Sequence, residues 1–96
     1  MYDLFSYLIS LINKIKKMKK QAYITLKLFA TLVKFTPDSS DYYPVEPGTS
    51  VRDLVAGLKI PEEKAKLIFI DGIRGELDSI LQGGERIGIF PPVGGG

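Results

Sequence analysis

Residues 83–96 read Gly-Gly-Glu-Arg-Ile-Gly-Ile-Phe-Pro-Pro-Val-Gly-Gly-Gly, and they give the backbone four different instructions in succession. Gly83-Gly84-Glu85 is a turn signal. Arg86 to Phe90 then alternates, with Ile87 and Ile89 on one face, as a half-buried strand does. Pro91 holds Phe90 extended, and Pro91 with Pro92 fixes two φ angles and removes two N–H donors. Gly94-Gly95-Gly96 finally offers no side chain, only backbone and an α-carboxylate, in the residue type most costly to order. A strand feeding a stiff base that carries a thin end points to the terminus itself as the working group. The competing reading is a frayed end or a cloning remnant. The proline base, and a strand that runs straight into it, weigh against that.

Working outward, the first strong strand signal lies at Tyr23 to Thr31. Ile24, Leu26, Leu28 and Ala30 point one way and Thr25, Lys27 and Phe29 the other. Pro37-Asp38-Ser39-Ser40 marks a loop within Phe35 to Asp41. A strand over Tyr42 to Val45 is confined by Pro44 and Pro47 to an edge or an irregular pairing. Ser50 is the expected N-cap of a helix, with Asp53 in the capping-box position and Val51, Leu54, Val55 and Leu58 as its apolar face. Gly57 marks an early end. Pro61-Glu62-Glu63 suits the first turn of a second short helix.

Leu67 to Ile70 reads as an apolar strand and Asp71-Gly72 as a turn. Leu77 to Leu81 fits either a short strand or one helical turn. The first and last strands alternate best and are expected at the centre of the sheet. The order predicts a two-layer α+β domain, a mixed sheet of four or five strands packed on one main helix.

Composition narrows the chemistry. The 96-residue chain has no cysteine and no histidine, which excludes disulfides, thiolate metal sites, a cysteine nucleophile and the usual general base. A self-sufficient enzyme is therefore not expected. The net charge of +2 hides an uneven distribution. Lys14, Lys16, Lys17, Lys19 and Lys20 form one run, while residues 21–96 hold 8 basic and 10 acidic residues, a net of −2. A nucleic-acid partner is not expected of such a body. Gly83 to Gly88 lacks the Lys-Ser/Thr of a phosphate loop, and a strand rather than a helix follows it. Glu62 and Glu63 are adjacent on their helix and do not face each other. Asp71, Glu76 and Asp78 do not match calcium-loop spacing.

Residues 1–20 form a separate N-terminal segment, with residues 21–96 as the domain proper. Leu4, Leu8, Leu11 and Ile15 make one helical stripe, widened by Phe5, Ile9 and Ile12. Charges that follow the apolar run are the reverse of a secretory signal, and the run is too short to span a bilayer. Three readings stay open: an amphipathic helix docking on this domain or a partner, a helix lying on a membrane surface, or a non-native start with Met18 as the natural one. Of these the membrane surface is the least expected, and the chain is expected in the cytoplasm.

The run Leu77 to Gly96, L-D-S-I-L-Q-G-G-E-R-I-G-I-F-P-P-V-G-G-G, closely resembles the end of the small subunit of molybdopterin synthase (MoaD-like). That family finishes in a glycine-acid turn, a hydrophobic strand and F/L-P-P-V-x-G-G, so Gly94 takes the variable position and Gly95-Gly96 are the terminal pair. Leu28-Phe29-Ala30 and Gly48 to Leu54 are also similar, and the resemblance extends over about Ala22 to Gly96. It implies the β-grasp fold of ubiquitin, shared with the thiamine-pathway sulfur carrier and archaeal ubiquitin-like modifiers. Pro-Pro-Val favours the molybdopterin branch.

The resemblance also implies a mechanism. An ATP-dependent, ubiquitin-activating-like adenylyltransferase would adenylate the Gly96 carboxylate, and a sulfur donor would convert the adenylate to a thiocarboxylate. The tail would then deliver sulfur to a cyclic pterin precursor inside the large synthase subunit. No bound cofactor is implied, only these covalent states, and the catalytic residues would belong to the partners. Gly96 would carry the sulfur, with Pro91, Pro92, Val93, Gly94 and Gly95 presenting it. Phe29 and Phe90 fall on the strand face opposite the aliphatic set, where they would either meet a partner or cover a minor core. Two other functions use the same fold: a protein modifier joined through Gly96 to a target lysine, and a non-covalent interaction module with a passive tail.

Overall fold

The computed structural model describes the backbone of residues 3–19 and 22–93 and the side chains of residues 3–12 and 22–93. Gly94, Gly95 and Gly96 lie outside the described residues. In chain order the elements are α1 (Leu4–Lys19), β1 (Ala22–Leu28), β2 (Tyr43–Val45), β3 (Thr49–Ser50), α2 (Val51–Gly57), β4 (Leu67–Ile70), β5 (Ile73–Gly75), β6 (Ile80–Leu81) and β7 (Arg86–Phe90). Short 3-10 turns occupy Ala30–Phe35, Ser40–Tyr42 and Glu62–Lys64.

Five strands form one mixed sheet in the order β2-β1-β7-β4-β5. β1 and β7, the two best-alternating segments, lie side by side and parallel, in the register Leu26↔Ile87 and Leu28↔Ile89. The remaining pairings are antiparallel. The Pro44-containing strand takes an edge, where a missing N–H costs no ladder bond. Asp71 and Gly72, at φ 52° and 82°, make the tight turn between β4 and β5, and both central residues have the positive φ of a type I′ hairpin.

One face of this sheet buries Ile24, Leu26, Leu28, Ile68, Ile87 and Ile89. α2 supplies the facing layer through Val51, Leu54, Val55 and Leu58, all buried. Its start is fixed by nearby acceptors. The Asp53 N–H donates to Ser50 Oγ at 3.1 Å. Val51 N–H reaches the Ser79 carbonyl at 2.9 Å and Arg52 N–H the Leu77 carbonyl at 2.8 Å. The first-turn donors of a helix otherwise lack partners, so this edge-on contact sets where α2 begins.

The structure corrects the sequence reading in three places. β1 ends at Leu28 rather than Thr31, because Ala30 adopts a left-handed φ of 53° and opens a 3-10 turn. That turn carries Leu32, fully buried, into the core. Tyr42 belongs to a 3-10 turn, so β2 starts at Tyr43. Leu77 to Leu81 is neither all strand nor a helical turn: a tight turn at Leu77-Asp78, closed by the Ser79 N–H on the Glu76 carbonyl at 3.0 Å, precedes the two-residue strand β6, which pairs with β3 in a second small sheet.

Candidate functional site

The site is built on the sheet face turned away from α2. Alternation on β7 sends Ile87 and Ile89 into the core, which leaves Arg86, Gly88 and Phe90 on the other side. The same parity puts Thr25, Lys27 and Phe29 there from β1, and Phe69 from β4. The Phe29 N–H donates to the Ile89 carbonyl at 3.2 Å, so chain pairing continues one residue past β1 and brings Phe29 level with Phe90. Their rings stack with centroids 4.2 Å apart and planes within 1°. Phe69 meets Phe90 edge-on at 5.8 Å. Such stacked and T-shaped contacts are the favoured aromatic geometries.

Register organises the surroundings. Lys27 pairs with Gly88, Gly88 with Phe69, and Phe69 with Arg74, so the four stand in one row across the sheet. Because Gly88 has no side chain, the row has a floor between its aromatic and cationic members. A Cβ there would sit 3.5 Å from the Phe29 ring. The result is a shallow groove of ≈ 300 Å³ with Phe29, Phe69 and Phe90 as walls and Lys27 and Arg86 at its rim. Phe29 remains 38% exposed, too much for a core residue, so the rings form an accessible surface rather than a closed minor core.

β7 leads directly from this cluster into Pro91, Pro92 and Val93, with Val93 88% exposed. Phe29, Phe90, Pro91, Pro92 and Val93 therefore lie together at one end of the sheet. Phe69 was not singled out by sequence. Leu67 to Ile70 is a continuous apolar run, and a run without alternation does not show which residue faces out.

A second, larger cleft of ≈ 560 Å³ is lined by Arg52, Glu62, Glu63, Lys66, Glu76 and Asp78 among others. The Arg52 guanidinium bonds Asp78 and, at 3.0 Å, Glu62. These bonds, that to Asp78 first, raise its already high pKa. All three side chains are about half exposed or more, so the network is a solvated clamp between α2 and its neighbours, worth little to stability. Among the described residues, no group of three or more ligating side chains could hold a metal ion.

A five-stranded mixed sheet with parallel first and last strands, gripping one main helix and running out through its last strand into a glycine-ended tail, defines the ubiquitin-like β-grasp class of sulfur carriers and modifiers. Within that class the chain belongs to the ThiS family, whose model matches residues 26–96. No curated protein matches the sequence significantly.

Solved structures agree on the fold. The Haloferax volcanii HVO 2177 protein is similar at 22% identity with a TM-score of 0.63, covering 80% of this chain and 89% of that one. SAMP1 from Haloferax volcanii is similar at 23% identity and a TM-score of 0.55, over 78% of this chain and all of that one. A protein assigned as molybdopterin converting factor, subunit 1, from Pyrococcus furiosus is similar at 25% identity and a TM-score of 0.53, over 75% of this chain and 99% of that one. No helix among the described residues is long and apolar enough to cross a membrane.

Proposed function

We propose that this protein is the sulfur carrier of molybdopterin synthesis, the small subunit of a two-part synthase, with the α-carboxylate of Gly96 as the carrier group. The observation that carries the reading is the strand-to-tail junction. β7 sits at the centre of the sheet, and its exit is stiffened by Pro91-Pro92 and flanked by the Phe29–Phe90 stack. The Pro-Pro-Val-x-Gly-Gly pattern at that junction and the likeness to the Pyrococcus protein support the molybdopterin branch.

The chemistry follows from what the chain has and lacks. The Gly96 carboxylate attacks the α-phosphorus of ATP in an activating enzyme and releases pyrophosphate. Hydrosulfide, the sulfide-level sulfur a donor supplies, then attacks the acyl carbon and gives up its proton. The C–O bond to AMP breaks, AMP leaves, and the thiocarboxylate keeps the sulfur. Inside the large subunit that sulfur moves to the pterin precursor, and water restores the carboxylate. Glycines suit the passage because no Cβ blocks a narrow channel. The groove walled by Phe29, Phe69 and Phe90 is the surface on which the activating enzyme or large subunit rests, with Lys27 and Arg86 at its rim.

The test is mass measurement of the intact chain after incubation with the cognate activating enzyme, ATP and a sulfur donor. One oxygen exchanged for sulfur at Gly96 is expected, and no exchange in a chain extended by one residue. Absence of exchange in the native chain overturns the proposal. A second reading is favoured by the likeness to SAMP1, also described as small archaeal modifier protein 1. In that reading, the activated Gly96 is joined to a lysine of a target protein. Adducts in cell extract that survive strong reductant would favour it over sulfur transfer.

A further inference from the structure

The groove and tail leave the N-terminal helix unused. α1 continues as helical backbone to Lys19, yet every described side chain on it is exposed. Leu4, Phe5, Tyr7, Leu8, Ile9, Leu11 and Ile12 are each between 43% and 70% exposed. Seven large apolar side chains on three turns, uncovered, are far more than scattered surface hydrophobes.

Their arrangement, together with the lysines, specifies an occupant. At 3.6 residues per turn, Leu4, Leu8 and Leu11 form a central stripe, Phe5, Ile9 and Ile12 widen it on one side, and Tyr7 flanks it on the other. Only Asp3, Ser6 and Ser10 stand opposite over the same span. A paired-helix seam would be a narrower stripe. The next seven residues, 14–20, hold five lysines, and residues 1–20 carry a net charge of +4 from five lysines and Asp3. A parallel helix pair would bring those clusters together and repel itself. A broad apolar face continued by a lysine block is instead complementary to a surface that is apolar below and anionic above. With residues 21–96 at net −2, the attraction belongs to the helix alone.

We infer that α1 lies in the interface of an anionic lipid bilayer, its Leu4–Ile12 face buried among acyl chains and the lysines of residues 14–20 among the headgroups. The topology gives this a consequence. α1 joins the domain through residues 20 and 21 at the start of β1, and β1 and β7 are parallel. The tail therefore leaves from the opposite end of β1, about 20 Å away for a seven-residue strand. The start of β1, where α1 attaches, and the exit of β7 lie at opposite ends of the sheet, so a protein held by α1 keeps its last strand's exit accessible to large partners.

The test is co-sedimentation of the full chain with vesicles of phosphatidylcholine alone and of phosphatidylcholine with phosphatidylglycerol. Binding at least about a hundredfold stronger to the anionic vesicles is expected from five lysines. It should weaken on raising salt from about 0.1 to 1 M, as the Debye length falls. Leu8→Glu with Ile12→Glu should abolish it. Lys16→Glu with Lys17→Glu should reduce it at least about thirtyfold on anionic vesicles and leave weak neutral-vesicle binding unchanged. These positions lie outside the domain core, so an unchanged thermal melt confirms that each variant is folded. No recovery with anionic vesicles, or equal recovery with both compositions, overturns the inference. A lipid-free dimer in sedimentation that Leu8→Glu dissolves, with no vesicle binding, also overturns it and assigns the face to a second copy.

Discussion

Lys59 is held where glycine normally belongs. It follows α2 at φ 64°, with its N–H on the Ala56 carbonyl at 3.0 Å and the Ile60 N–H on the Val55 carbonyl at 3.1 Å. That pair of bonds is a Schellman closure, and buried Ile60 is its hydrophobic partner. An L-residue in this conformation costs about 1–2 kcal/mol. Glycine would recover part of that and lose about 0.5–1 kcal/mol through a freer unfolded chain. Lys59→Gly should therefore stabilise by about 0.5–1 kcal/mol, read as a melting temperature about 3–6 °C higher. The turn before β7 predicts the opposite sign. Gly83 has φ 118°, and a Cβ on it would collide with the Cβ of Ala22 on β1. Gly84, at φ 88°, has nothing within 4 Å of its would-be Cβ. Gly83→Ala should cost about 2–4 kcal/mol and Gly84→Ala about 1 kcal/mol, both by denaturant unfolding. Equal losses would mean that conformation alone, without the collision, governs the turn.

At the scale of elements, α1 and α2 begin with different caps, and one of them titrates. Asp3 accepts from the Phe5 N–H at 3.1 Å and from Ser6 Oγ at 2.8 Å, just ahead of Leu4. The bonds from Ser6, and then that from Phe5, hold its carboxyl below the usual range. A depressed carboxylate stabilises where it is ionised, above the unfolded pKa, and that contribution is lost as pH falls through the folded pKa. The helical signal of α1 should thus decline on acidification below the ordinary carboxylate range. In Asp3→Asn, which caps without titrating, it should not. The comparison is the far-UV difference between the two chains, since the domain is common to both. Ser50 caps α2 at any pH, and Ser50→Ala should cost about 1 kcal/mol.

The Ser50 cap shows which elements a sequence exposes. The Ser50-to-Asp53 spacing, the alternation of β1 and β7 and the edge proline of β2 are local patterns with local causes, so they were readable, as was the shared face of Phe29 and Phe90. The β3–β6 sheet was not, because Thr49↔Leu81 is a two-residue pairing between distant segments and no periodicity marks it. Leu32 was hidden by a 3-10 turn, and Phe69 by its uniformly apolar neighbours. Gly57 marks the end of α2 as its sequence suggests, but the left-handed residue that closes the helix, Lys59, carries no such signal.

On the scale of the whole molecule, anchor, scaffold and tail are separable, because the core draws on none of the ends. Among the described residues, every buried hydrophobic one falls between Ile24 and Ile89. Beyond that core lie the exposed face of α1 on one side and Pro92 and Val93 on the other. A chain beginning at Met18 should keep the melting temperature of the full chain within about 2 °C, since the described side chains it loses are already in water. It should accept sulfur at Gly96 as well as the full chain does, and lose vesicle binding. A chain lacking Gly95 and Gly96 should melt and bind vesicles like the full chain, and accept no sulfur. Phe29→Ser should sit between the two. It removes one ring of an exposed stack, so the fold survives with a loss of about 1–2 kcal/mol. The aromatic groove it breaks is the surface beside the tail, so loading should fall through a raised KM for the carrier rather than a lowered kcat. If that variant instead lowers kcat at unchanged KM, the stack acts by aiming the tail within the partner's channel, and the docking surface lies elsewhere on the sheet.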